Sequence, residues 1–190
     1  MFIETILKII KSPRKAFKEN IPTLSVVLYI ILSGVILFLY ISAFIKFTLP
    51  IIENSLPEIF NTFDTTFIKS AYSVKFLFLC IVYPFIGLLI SGAIFELLTQ
   101  LFYKKSNGIK LLKNLAFSSV PLTIYRLLYV IFALLNFQAF METGILFTVW
   151  NLMLYIFAIS ETYEIESNKA SLIFFFPLIL LSLFLILAII

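Results

Sequence analysis

The chain has 190 residues, of which 62% are hydrophobic, 17% aromatic and only 13% charged, with a formal net charge of +4 and no histidine. A soluble domain is about half apolar and about a quarter charged, so this composition excludes a water-facing globule and indicates a polytopic membrane protein. The missing histidines and the single cysteine, Cys80, exclude Ser-His-Asp hydrolysis, imidazole-held metals, intramolecular disulfides and Cys-x-x-Cys redox pairs.

Residues 1–22 read as a cytoplasmic amphipathic segment. Ile3, Ile6, Leu7, Ile10 and Phe17 fall on one side of a helix, and Glu4, Lys8, Lys11, Lys15 and Lys18 on the other. Ser12-Pro13 interrupts this run, and a serine before a proline is a good helix start, so a second short helix is predicted from Pro13. The pattern suits a helix lying in the bilayer interface with lysines among headgroups, where each basic residue is worth roughly 1 kcal/mol near an anionic leaflet. It serves either to anchor the first span or to dock a cytoplasmic partner.

A bilayer core of about 30 Å needs roughly 20 apolar residues in a helix. Five runs qualify: 23–45, 76–102, 115–135, 143–160 and 170–190. They are continuously apolar rather than alternating, which favours helices over a β-barrel. The predicted fold is therefore a single all-α domain over 1–190, a bundle of five transmembrane helices with an N-terminal interfacial helix. The connection between the first two spans places Ile59, Phe60, Phe63 and Phe67 at helical spacing after Pro57 and predicts a short interfacial helix. Residues 103–114, with Lys104, Lys105, Lys110 and Lys113 around an Asn107-Gly108 turn, read as a second lipid-surface segment. Glu161, Glu164 and Glu166 are predicted on the same side and available to pair with those lysines.

The basic residues fix an orientation. With the N-terminus inside, ten of them lie in inner segments (Lys8, Lys11, Arg14, Lys15, Lys18, Lys104, Lys105, Lys110, Lys113 and Lys169). Three, Lys46, Lys69 and Lys75, lie outside. The positive-inside rule then puts the N-terminus in the cytoplasm and the C-terminus outside, in a multi-pass protein of the cell membrane. The same placement, between spans, assigns the basic charge to anionic lipid rather than nucleic acid.

Glu96 and Arg126 are the two charges well inside predicted spans. Such residues usually face the bundle and find partners. Three readings stand: an ion pair between spans two and three, a Glu96 that reaches the cytoplasmic side, or an ion or proton path. Asn151 is a candidate for a hydrogen bond between helices, and its neighbour Trp150 for packing. Pro84, Pro121 and Pro177 predict kinks, with Ser118 and Ser119 placed to satisfy carbonyls freed at Pro121. Gly87, Ser91 and Gly92 give span two a small-residue face, with Gly87-x-x-x-Ser91 at a close-packing spacing. No phosphate loop, metal-ligand cluster or nucleophile–base pair is present. These absences predict a non-enzymatic protein without cofactor or metal. Its role is read as a membrane organiser or adaptor, with lipids, other membrane proteins or further copies of itself as partners. A small transporter or channel using Glu96 and Arg126 is the alternative.

Several segments occur together in a familiar order. Ile10-Lys-Ser-Pro-Arg-Lys-Ala-Phe17 precedes the first span, and Gly108-Ile-Lys-Leu-Leu-Lys-Asn-Leu-Ala-Phe-Ser-Ser-Val-Pro121 enters the third. Trp150 in the fourth is followed by Ser160-Glu-Thr-Tyr163 and Asn168-Lys-Ala170. This order resembles the prokaryotic branch of the Yip domain family (Ypt/Rab-interacting-protein type). The resemblance implies five spans, a cytoplasmic N-terminus and an outer or lumenal C-terminus. Eukaryotic members are implicated in vesicle traffic, Rab-type GTPase binding and membrane shaping. They carry an Asp-Leu-Tyr-Gly-Pro motif before span one, which this chain lacks, and that departure puts GTPase binding in doubt.

Overall fold

A computed structural model describes residues 2–48, 50, 72–135 and 143–189. The regular elements among them are all helical, as expected where backbone groups must be satisfied without water. Helices α1 (Phe2–Lys11) and α2 (Pro13–Lys18) break at Ser12, as the Ser-Pro pair predicts. Helix α3 (Thr23–Ala43) continues through a π-helical turn, Phe44–Thr48. Then come α4 (Val74–Tyr103), α5 (Gly108–Ser118), α6 (Val120–Leu134), α7 (Gly144–Tyr163) and α8 (Ser167–Ile189). Among the described residues five stretches are long and apolar enough to cross a bilayer: Thr23–Thr48, Val74–Tyr103, Gly108–Leu134, Gly144–Tyr163 and Ser167–Ile186. The protein is a multi-pass, all-α membrane bundle. The interfacial helix expected around Ile59–Phe67 lies outside the described residues.

The third span differs from its prediction. It starts at Gly108 rather than 115, because residues 103–114 are not spread on the lipid surface. Leu111, Asn114 and Leu115 share one face of α5 and are buried in the core, while Lys110 and Lys113 reach the rim. Pro121 opens α6 instead of bending a continuous helix, since the chain leaves helical geometry at Ser119 (φ −80°, ψ 3°). The hydroxyls of Ser118 and Ser119 donate to the carbonyls of Asn114 and Ala116, at 3.0 and 2.9 Å, as expected beside a proline. Pro84 and Pro177 lie within α4 and α8.

The core is concentrated toward one end of the bundle. Ile9, Phe17, Ile21, Tyr29, Phe95, Leu111, Leu115, Phe117, Leu154, Ile159, Tyr163 and Ile173 belong to one buried cluster. Tyr29 stacks on Phe117 at 4.7 Å, and its hydroxyl bonds Ser119 and Thr123 at 2.9 and 2.8 Å, tying α3 to α6. Trp150 packs against this cluster, as predicted. Beyond Pro177, α8 leaves the cluster: Leu178–Leu181 and Leu183–Ile186 are all about half exposed or more, an apolar surface for lipid.

The close approach of α3 to α4 is made by Gly34, a residue to which the sequence gave no special standing. A Cβ there would sit 2.6 Å from the Ile81 Cα and 2.9 Å from the Cys80 carbonyl oxygen. Gly92 is also a packing site, against Leu112 of α5. Gly87 is not: a Cβ there meets nothing within 4 Å, and the Ser91 hydroxyl turns back to the Gly87 carbonyl at 2.8 Å. The Gly87-x-x-x-Ser91 spacing therefore does not mark a helix contact, and of the two glycines on this face it is Gly92 that meets another helix.

Candidate functional site

The N-terminal helices, the α4–α5 connection and the α7–α8 connection meet at one end of the bundle. Here α2 is a packed element of the fold. Phe17 is fully buried and Ala16 nearly so. The Asn114 side-chain amide donates to the Phe17 carbonyl at 3.0 Å and to the Thr162 hydroxyl at 2.9 Å, joining α2, α5 and α7 at one point. Glu161, itself buried, is approached by Arg14 at 3.9 Å and Lys18 at 3.8 Å. The acid thus meets the N-terminal basic residues rather than those of 104–113.

The lysines of 104–113 serve the end of α7 differently. Lys105 donates to the carbonyls of Tyr163 and Glu164 at 2.7 and 3.0 Å, and Lys110 to that of Glu161 at 3.4 Å. A helix C-terminus carries a partial negative charge and unpaired carbonyls, so cations there are favourable by roughly 0.3–1 kcal/mol each. Lys8 pairs with Glu19 at 2.5 Å, Lys113 with the Asn20 side chain at 3.2 Å, and Lys169 with Glu166 at 3.8 Å. Lys11, Lys15 and Lys104 are exposed and have no acceptor among the described residues. Part of the basic face therefore holds the bundle end together, and part is left for solvent or headgroups.

Helix α1 presents the other half of this end. Its apolar arc is divided. Phe2, Ile6 and Ile9 turn to the core. Ile3, Leu7 and Ile10 turn away and remain 69%, 47% and 36% exposed. The exposed stripe is bordered by Lys11 and Glu4, a pattern suited to the acyl–headgroup boundary.

Glu96 and Arg126 do not pair. The Glu96 carboxylate accepts from the Ser106 hydroxyl at 2.6 Å, the Asn107 backbone N–H at 3.1 Å and the Gln100 amide at 3.1 Å, and from the Tyr163 hydroxyl. It thereby pins the α4–α5 turn and the end of α7 at the basic end of the bundle. Arg126 has no ion pair or hydrogen bond among the described residues and stands among tyrosines Tyr29, Tyr40, Tyr83 and Tyr155. A charged group at a helix centre costs roughly 2.5–3.5 kcal/mol on insertion scales, and no partner among the described residues offsets that cost for Arg126. Among the described residues Asn151 also lacks the interhelical hydrogen bond expected of it: the residue is buried, and its Oδ1 has no partner there.

Sequence reasoning missed Asn114, Gly34 and the destination of Glu161. Asn114 had one available signal, a polar residue at the i+3 position from Leu111 on the apolar face of a basic helix. Among the described residues no group of three or more histidine, cysteine or acidic side chains gathers to hold a metal.

The model of the Yip1 domain matches residues 7–189, from within α1 to the end of α8. None of the curated proteins or solved structures compared with the chain matches it. The matched region takes in the second half of α1, all of α2 and all five spans, and on that basis the chain belongs to the Yip1 domain family.

Proposed function

We propose that this Yip1-domain protein is a non-enzymatic membrane organiser acting from its basic end, which faces the cytoplasm of a cell with the C-terminus on the outer side. The exposed half of α1 inserts beside the bundle into the inner leaflet, and Lys11, Lys15 and Lys104 engage anionic headgroups. The single observation that supports this reading is the division of α1: Phe2, Ile6 and Ile9 fix it to a rigid bundle while Ile3, Leu7 and Ile10 stay open. A helix held in one leaflet adds area there and not in the other, which favours curved membrane. Through this shape the protein would gather lipids, further copies of itself or other membrane proteins.

The geometry supports this reading over a small transporter or channel. Glu96 is engaged by four donors at the bundle end, and it makes no contact with Arg126. The test is sorting on tubes drawn from giant vesicles containing anionic lipid. The wild-type protein should be enriched on narrow tubes relative to the parent vesicle. A variant with Ile3, Leu7 and Ile10 all changed to serine should lose that enrichment. Equal enrichment of the two would refute the proposal.

A further inference from the structure

Arg126 lies eight residues before the end of α6, about 12 Å at 1.5 Å per residue. That places it deep in the half of the bundle away from the basic end. Four tyrosines from three helices lie within electrostatic reach of it: Tyr29 and Tyr40 of α3, Tyr155 of α7 and the largely exposed Tyr83 of α4. The Tyr29 hydroxyl is committed to Ser119 and Thr123. The hydroxyls of Tyr40, Tyr83 and Tyr155 have no hydrogen-bond partner among the described residues. Among the described residues the neighbourhood is rich in donors and lacks an anion to receive them. Among the described residues carboxylates do not supply one: Glu96 is bound at the other end, and Glu161 and Glu166 lie there too; the acids at 53, 58, 64 and 142 lie outside the described residues.

A cleft of about 470 Å³ opens beside this group between α3 and α4, within the usual range for small-molecule sites. Its walls are apolar and include Leu37 and Ile41 of α3 and Phe76, Leu79 and Ile86 of α4. Cys80 and Tyr83 line the same cleft and are also electrostatic neighbours of Arg126. Gly34 brings α3 against α4 at Ile81, next to the Cys80 that lines the cleft. An apolar trough with a cation and free phenols at its side has the chemistry of a site for a molecule with a hydrocarbon tail and an anionic head.

We propose that the cleft between α3 and α4 binds a single-chain anionic amphiphile, its acyl chain along Leu37, Leu79 and Ile86 and its head on Arg126, Tyr40 and Tyr155. A carboxylate and a phosphate monoester share the needed chemistry: full negative charge, several acceptor oxygens and no obligatory donor. Arginine matches either with paired N–H bonds. The site is independent of the α1 stripe, which lies at the opposite end of the bundle.

Native mass spectrometry of the delipidated protein, released from detergent, tests this with three probes of equal chain length. These are palmitate, lysophosphatidate and the uncharged monopalmitoylglycerol. Retention of either or both anionic probes at one equivalent, at least tenfold above the neutral one, is expected, and which of them is retained identifies the head. Arg126→Gln should lower that retention at least tenfold, and Arg126→Lys should restore part of it. Leu79→Trp, a change at an exposed cleft wall that leaves Arg126 in place, should lower it as well, so the outcome does not depend on the folding of one variant. Equal retention of the neutral probe, failure of both anionic probes, or unchanged binding in Leu79→Trp and Arg126→Gln would overturn the proposal.

Discussion

Replacing Phe17 by alanine should release the N-terminal helices while the five spans stay assembled. Phe17 is fully buried between α5 and α7, and its own carbonyl is held by Asn114. Removing a buried phenylalanine side chain costs about 3–5 kcal/mol. The loss falls on the local equilibrium between docked and undocked α2, because the spans do not need this ring to cross the bilayer. At about 1.4 kcal/mol per factor of ten, the undocked population rises by roughly two to nearly four orders of magnitude. Amide hydrogen exchange of a peptide covering 13–20, in nanodiscs, reads this directly. Exchange should accelerate by that factor in Phe17→Ala, whereas peptides from α4 and α7 should change little. Ile3→Ala, at a position that faces away from the core, is the control and should leave peptide 13–20 unaffected. If exchange there stayed within threefold of wild type in Phe17→Ala, α2 would not be clasped as described.

Three further outcomes follow from the same geometry. Gly34→Ala forces a Cβ into backbone atoms of α4 and should destabilise the protein by about 1–3 kcal/mol, seen as an earlier loss of the monodisperse peak on heating. Gly87→Ala meets open space and should be neutral, or stabilising by up to about 1 kcal/mol, because alanine suits a helix better than glycine. In a Cys80→Ala background, a cysteine at Asn168 should react with impermeant reagents only when they are admitted to the cytoplasmic side, and labelling from outside would reverse the orientation.

The spans were legible because hydropathy is a property of runs, and a run of about 20 apolar residues has few alternatives. The Ser12-Pro13 break was legible because proline's geometry is local. The basic end of the bundle was not. Leu111 and Asn114 sit among Lys110 and Lys113, and such a mixture reads equally as a surface helix or as a helix that buries one stripe. The bundle decides, by offering the Phe17 carbonyl and Thr162 as partners for Asn114. The same limit applied to the two membrane charges. Opposite signs on neighbouring spans invite pairing, but Glu96 found a turn with free N–H and O–H donors ten residues further on, at Ser106 and Asn107. A short side chain bonds the nearest donor, and sequence distance along a folded-back connection conceals how near that is. The basic residues enter the orientation argument as a sum, and their individual contacts were not legible in the sequence. Lys105 and Lys110 became caps for α7, and Lys18 a partner for Glu161, through contacts made across more than fifty residues of chain.

The central claim is that α1 is fixed to the bundle with one face in lipid. Nitroxide labels at Leu7 and at Lys8, one at a time in a Cys80→Ala protein reconstituted with anionic lipid, test it most directly through their collision with oxygen and with a water-soluble nickel chelate. A label at Leu7 should favour oxygen, as a site below the headgroups does, and a label at Lys8 should favour the chelate. Equal chelate exposure at both positions would place α1 in water and contradict the account.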